Sequence, residues 1–259
     1  MAFYTFLGVN TGFKHSMENL HLDKHISNQF NIDLEHLRTH LLEMGGLVEQ
    51  QVTDAVRAIE TADGELAEKV LKTEDAIDQR EVDLDQECTL ILARRQPAAS
   101  DLRLVLMVAK TTRDLERMGD EANKIAKMAI ALNDDGVAPR GYVELRHIGS
   151  GVIKLVNLAL DAFARFDVDS AMKVVREDKF IDQEYRSAIR ELITYMMEDP
   201  RSITRVMNVM WALRALERIG DHARNIAEHV IYLVHGMDVR HIPISELEEK
   251  LEEKKNPQA

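Results

Sequence analysis

The chain has 259 residues, 45% of them apolar and only 5% aromatic, with a single Trp. A formal charge of −12, from 45 acids against 33 bases, argues against a nucleic-acid binder, whose affinity needs a basic surface to displace counterions. The one cysteine, Cys88, forms no internal disulfide, and no apolar run approaches the roughly 18 to 20 residues of a membrane span.

Leu, Ala, Met, Glu, Lys and Arg dominate, which favours helix over sandwich or barrel and predicts an all-α protein. Residues 1–16 hold Phe3, Tyr4, Phe6 and Leu7, but Lys14 follows the apolar part instead of preceding it. That stretch reads as an extension, not a secretory signal. Residues 17–30 are polar, with His15, His21 and His25 spaced unevenly around them, and form a lead-in. From Asn31 to Ala62, Ile32, Leu34, Leu37, Leu41, Met44, Val48, Val52, Val56 and Ile59 recur at three- and four-residue steps, the period of an amphipathic helix. Gly45-Gly46 inside it is costly for a helix and predicts close approach of another backbone.

Asp63-Gly64 punctuates, and a second helix runs to Arg95, before Pro97. Cys88 within it reads as a small buried apolar residue. Ser100 is a candidate N-cap for a third helix reaching Leu132. Asn133 to Gly136, with Pro139 and Gly141, is the clearest internal break. The fourth helix is predicted over 143–166, the fifth over 170–198 up to Asp199-Pro200, and the sixth over 203–235 up to Gly236. The mixed-charge tail, 246–255, reads as a solvated, frayed helix.

The halves repeat. Arg-x-Leu-Glu-Arg-x-Gly-Asp occurs at Arg113–Asp120 and again at Arg214–Asp221, an offset of 101. Upstream, Asp63, Ala67, Val70 and Ile77-Asp78-Gln79 match Asp167, Ala171, Val174 and Ile181-Asp182-Gln183 at an offset of 104. A near-constant offset that shrinks across one loop marks a duplicated three-helix unit. The predicted fold is therefore two tandem, pseudo-symmetric three-helix bundles with six long helices. The boundaries fall at 1–30 for the extension and lead-in, 31–136 and 140–240 for the repeats, and 241–259 for the charged tail.

Alignment of the repeats exposes paired acids four apart, on one helix face. The second helix carries Glu74 and Asp78, with Glu81 a turn later, and the third carries Glu116 and Asp120. The fifth carries Asp178 and Asp182, and the sixth Glu217 and Asp221. Antiparallel neighbours pack about 8–10 Å apart, so each half offers a four-carboxylate patch. Like charges at this spacing destabilise a helix and need compensation. Arg113, Arg117, Arg214 and Arg218, each three residues before an acid, supply one kind. A hard divalent or trivalent cation bound by oxygen ligands supplies the other, with the arginines orienting the carboxylates from behind. Gly119 and Gly220, in mid-helix beside the acids, predict close helix packing. His222, which has Glu121 as its counterpart in the first half, reads as a surface residue.

Other chemistry is sparse. There is no Walker-type phosphate loop, no G-x-S-x-G elbow and no H-E-x-x-H helix. Glu18-x-x-His21, a Glu-x-x-His of the kind a di-iron bundle uses twice, lies in the lead-in. A metal-dependent hydrolase or oxidase using the same carboxylates, and a metal-free helical adaptor, stand as alternatives to a regulator.

The repeated Leu-Glu-Arg-x-Gly-Asp, Met44-Gly-Gly-Leu-Val-Glu49, Arg94-Arg-Gln-Pro97 with Asp101-Leu-Arg103, and Thr194-Tyr-Met-Met-Glu-Asp-Pro200 together resemble the PhoU family. The likeness covers roughly residues 21–242, and residues 1–16 fall outside it. The resemblance implies side-by-side three-helix bundles in a homodimeric, cytoplasmic and non-enzymatic protein, associated with the inner membrane only through partners. It implies a negative regulator of the bacterial phosphate-starvation response, linking the high-affinity phosphate ABC transporter to a sensor histidine kinase. It further implies multinuclear metal (Fe, Zn, Mn or Mg) on paired acid-x-x-x-Asp motifs, which fall on Glu74, Asp78, Glu116, Asp120, Asp178, Asp182, Glu217 and Asp221.

Overall fold

The computed structural model of the protein describes residues 28–134 and 142–255; expectations for residues 1–27, Glu18 and His21 included, and for the 135–141 loop lie outside the described residues. The described chain is helical throughout: α1 (Asn28–Thr61), α2 (Gly64–Arg95), α3 (Ala99–Asp134), α4 (Tyr142–Arg165), α5 (Val168–Glu198), α6 (Ile203–His235) and α7 (Ile244–Lys255), with a 3-10 turn at Pro200–Ser202. None of these helices is long and apolar enough to cross a membrane.

The repeat is written into the caps. Asp63 accepts from the Leu66 amide at the start of α2, and its counterpart Asp167 accepts from the Asp169 and Ser170 amides at the start of α5. Gly236 ends α6 in the left-handed region, as its position after the last apolar residue predicts. Ser100 is not a cap. α3 already begins at Ala99, and the amides of Asp101 and Leu102 bond to the Ala98 carbonyl instead.

Each half is a three-helix bundle: α1 and α2 pack on α3, and α4 and α5 pack on α6. The halves join along their central helices, α3 against α6, and again along α1 against α4. α3 and α6 run antiparallel, since Arg103 Nε donates to the Leu233 carbonyl near one end (3.2 Å) and Arg218 meets Glu121 towards the other (2.9 Å). The α1 periodicity is the core stripe, buried from Leu34 to Ile59, whereas Ile32 lies outside it and is exposed. Cys88 is buried, as read.

Gly45 admits a side chain, not a second backbone. A Cβ there would lie 2.8 Å from Leu160 Cδ2 of α4, and one on Gly149 of α4 would lie 2.7 Å from Val56 Cγ1 of α1. Each helix gives up a side chain to receive its neighbour's. The seam between the bundles is thereby set by two reciprocal knobs.

The tail is docked, not frayed. α7 buries Leu247 and Leu251 in the common core, pairs Glu248 with Arg176 of α5 at 2.6 Å, and brings Lys254 Nζ within 3.1 Å of the His235 carbonyl. Its i, i+4 leucines were legible as a stripe, but its charge outweighed them. Because Leu247 is 2% exposed, Leu247→Ala is expected to cost about 2–3 kcal/mol in urea denaturation. A solvated tail would leave stability unchanged.

Candidate metal centre

Both acidic patches form. α2 and α3 present Glu74 and Asp78 to Glu116 and Asp120, and α5 and α6 present Asp178 and Asp182 to Glu217 and Asp221. The i, i+4 spacing puts each pair on one face, and tight α2–α3 and α5–α6 packing turns those faces together.

In the first patch, burial above all, then the touching Asp120 carboxylate and the Asp78 charge, push Glu74 up to about 7. Glu116 is raised by burial and then by Asp120, Glu81 and Asp78. Glu81 belongs to the same field, raised by burial and then by Asp85 and Asp78. In the second patch, burial followed by Asp182 and Asp221 pushes Asp178 up to about 7, against the pull of Arg224. Burial and Asp221 raise Glu217, and burial and Asp182 raise Asp221. Each patch is thus a site where several carboxylates compete to stay charged.

Three of the eight predicted ligands carry a buried oxygen with no hydrogen-bond partner: Glu74 Oε2, Asp178 Oδ2 and Glu217 Oε2. Buried polar atoms are nearly always satisfied, so these oxygens have capacity for a further partner, although Asp178 Oδ2 already lies 3.6 Å from Arg224. A hard cation fits the donor set, because it would bond those oxygens and cancel the repulsion between neighbours. Among the described residues no three acidic, His or Cys side chains already stand close enough to close on one ion, so the rows are open.

The glycines serve this geometry. A Cβ on Gly220 would lie 3.3 Å from Asp178 Oδ1, so that carboxylate rests against the α6 backbone. A Cβ on Gly119 would meet Gln51 Oε1 at 3.0 Å. The arginines divide. Arg214 Nη1 meets Glu217 at 2.7 Å as the i, i+3 spacing predicts, whereas Arg218 turns away to Glu121 of α3. Arg113 and Arg117 act on Glu81 and Glu116 only through charge.

Two features lay beyond the sequence reading. Arg224 stands 3.6 Å from Asp178 Oδ2 while its Nε donates to Glu228 at 3.1 Å. Its spacing of seven from Glu217 places it on the acidic face, which was the available signal. His222 is a correction: it is 6% exposed, not on the surface, and its Nδ1 lies 2.9 Å from Asp114 Oδ1. Asn225 donates to that same oxygen at 3.0 Å, and His229, which burial pushes down to about 4, joins through Thr111 at 3.2 Å. A buried polar network therefore ties α3 to α6 where the two halves meet.

The PhoU domain pattern matches the chain twice, over residues 41–129 and 145–230. The phosphate-specific transport system accessory protein PhoU homolog of Pseudomonas aeruginosa is 62% identical over 231 residues, 89% of this chain and 96% of that one. The phosphate-specific transport system accessory protein PhoU of Escherichia coli is 45% identical over 235 residues, 91% of this chain and 97% of that one. The crystal structure of PhoU from Pseudomonas aeruginosa superposes with a TM-score of 0.79 at 63% identity, covering 80% of this chain and 100% of its own. That of the phosphate transport system regulatory protein PhoU from Streptococcus pneumoniae gives 0.75 at 31% identity, covering 81% and 99%.

Proposed function

The chain belongs to the PhoU family, and from that premise we propose that it is a cytoplasmic negative regulator of the phosphate-starvation response. It restrains a sensor histidine kinase when the high-affinity phosphate ABC transporter reports sufficiency, and it does so as a homodimer held at the inner membrane by those partners. The reading rests on nearly full-length likeness to relatives named as accessory and regulatory proteins of phosphate transport. A strain lacking the gene should express its phosphate-starvation genes in high phosphate, and the intact gene should restore repression. Normal repression in the deletion strain would end this assignment.

We propose further that the two acidic patches hold cations. The orphaned oxygens of Glu74, Asp178 and Glu217 carry this part of the reading. Glu74, Asp78, Glu116 and Asp120 would hold one set, and Asp178, Asp182, Glu217 and Asp221 the other. The ion would supply positive charge that lets neighbouring carboxylates ionise together, drawing α2 to α3 and α5 to α6. An all-oxygen donor set accepts Mg, Mn or Fe(III) most readily, and Zn less so. Elemental analysis of protein purified without chelator should find metal in the wild type and a loss of most of it in Glu116→Ala/Glu217→Ala. Equal, negligible metal in both would defeat the proposal.

A further inference from the structure

Resting on the reading that both patches take cations, we propose that the two sites are unequal. Arg214 and Arg224 of α6 act as built-in counter-cations of the second site, so the first site fills first and the second fills only when these guanidinium groups give way.

The inequality is visible position by position. Arg224 sits at an offset of 101 from Asn123, the same offset that relates Glu217 to Glu116. In the first half that position is neutral: Asn123 is buried, and its Oδ1 accepts from Gln51 Nε2 at 3.1 Å. In the second half it places a guanidinium 3.6 Å from Asp178. A second exchange works in the same direction. Glu81, a fifth carboxylate beside the first site, aligns at the offset of 104 with Tyr185. The Tyr185 ring lies 5.9 Å from the Arg214 guanidinium carbon, and Arg214 in turn bonds Glu217 at 2.7 Å. Its counterpart Arg113 is exposed and makes no ion pair within 4 Å among the described residues. The first site therefore gathers five carboxylates with no arginine bonded to them. The second gathers four, with Arg214 bonded and two more arginines close by, Arg224 at 3.6 Å from Asp178 and Arg186 at 3.8 Å from Asp182.

The second site is also built to let an arginine leave. Arg224 reaches Asp178 only at 3.6 Å, which screens the carboxylate yet leaves Oδ2 without a hydrogen bond. Its other partner, Glu228, holds it at 3.1 Å and is itself buried. Moving off Asp178 thus leaves Arg224 with a partner. Asp178 has no such freedom: it is 1% exposed and lies against Gly220 of α6. An arriving cation finds the carboxylate fixed and the arginine movable. Like charges at this range weaken one another's binding steeply where water is scarce.

The test is titration of the full-length protein, stripped with chelator, with Mn2+ alone, followed by the electron paramagnetic resonance signal of free Mn2+. The wild type should bind in two phases at least about tenfold apart in affinity. Glu74→Gln/Asp120→Asn should remove the tight phase only. Arg224→Gln should strengthen the weak phase about five- to tenfold and leave the tight one in place. Arg214→Gln, at an exposed position, and Tyr185→Glu should do the same, and circular dichroism identifies any variant that has not folded. Two equal phases in the wild type, or a weak phase unmoved in the folded arginine and Tyr185 variants, would overturn the inequality while leaving cation binding intact. No Mn2+ uptake at either site would overturn both.

Discussion

Asp178→Asn is expected to stabilise the metal-free protein at pH 8, to change little at pH 4, and to abolish the stabilisation by a divalent cation that the proposed second site predicts. Asp178 is 1% exposed, and burial, Asp182 and Asp221 push it from an ordinary 3.8 up to about 7. A raised carboxylate holds its proton more tightly in the folded chain than in the unfolded one. Its contribution is therefore complete below about pH 4 and is lost as pH rises through about 7. For a group this buried, the loss amounts to about 2–4 kcal/mol. Asn keeps the shape and has no charge to desolvate, so the variant escapes the loss. Glu74, pushed up to about 7 in the first patch, adds a smaller decline of the same sign, since solvent screens it more. His229 works the other way: burial lowers it to about 4, so its contribution fades as pH falls from about 6.5 towards 4. Subtracting the wild type from the variant cancels both. Urea denaturation at pH 4 and pH 8, in chelator and then in excess Mn2+, should show the variant ahead in chelator at pH 8 and behind in Mn2+. A variant less stable in chelator at both values would mean that Asp178 is satisfied without a cation.

This expectation draws on residues that the sequence exposes to different degrees. The acid-x-x-x-Asp pairs were readable because a helix converts a spacing of four into a shared face, and the repeat identified which helices are neighbours. The two halves could likewise be located from Asp63 and Asp167, whose capping bonds are local. What spacing could not supply was the side chain's choice among partners. Arg218 stands three before Asp221, just as Arg214 stands three before Glu217, yet only Arg214 bonds its local acid. Arg218 lies at the α3–α6 seam, where Glu121 offers a buried carboxylate. His222 was misjudged for the same reason. Its position one past Asp221 says surface on an isolated helix, and it is buried because α3 covers that side of α6 with Asp114 directly opposite. α7 shows the reverse error: a charged segment with two leucines is solvated by composition and docked by geometry. Long-range contacts between the halves decided each of these cases.

That seam should carry a large share of the protein's cohesion, and Asp114→Ala is expected to cost about 2–4 kcal/mol, close to the loss of a large core side chain. Asp114 is 8% exposed, and one of its oxygens takes His222 Nδ1 at 2.9 Å and Asn225 Nδ2 at 3.0 Å. Removing it leaves buried His222 and half-buried Asn225 of α6 facing a hole on α3. The cost is cooperative, since His229 and Thr111 extend the same network along the seam. His222→Ala alone should cost less, because Asn225 still satisfies Asp114 Oδ1. In the double variant Asp114→Ala/His222→Ala the two losses should fall short of additive by about 1–3 kcal/mol, measured as a cycle in guanidinium. Losses that simply add would mean that Asp114 and His222 are not coupled across the seam. A shortfall would establish Asp114 and His222 as a polar clasp between the bundles, Asp114 two residues from Glu116 and His222 one residue from Asp221.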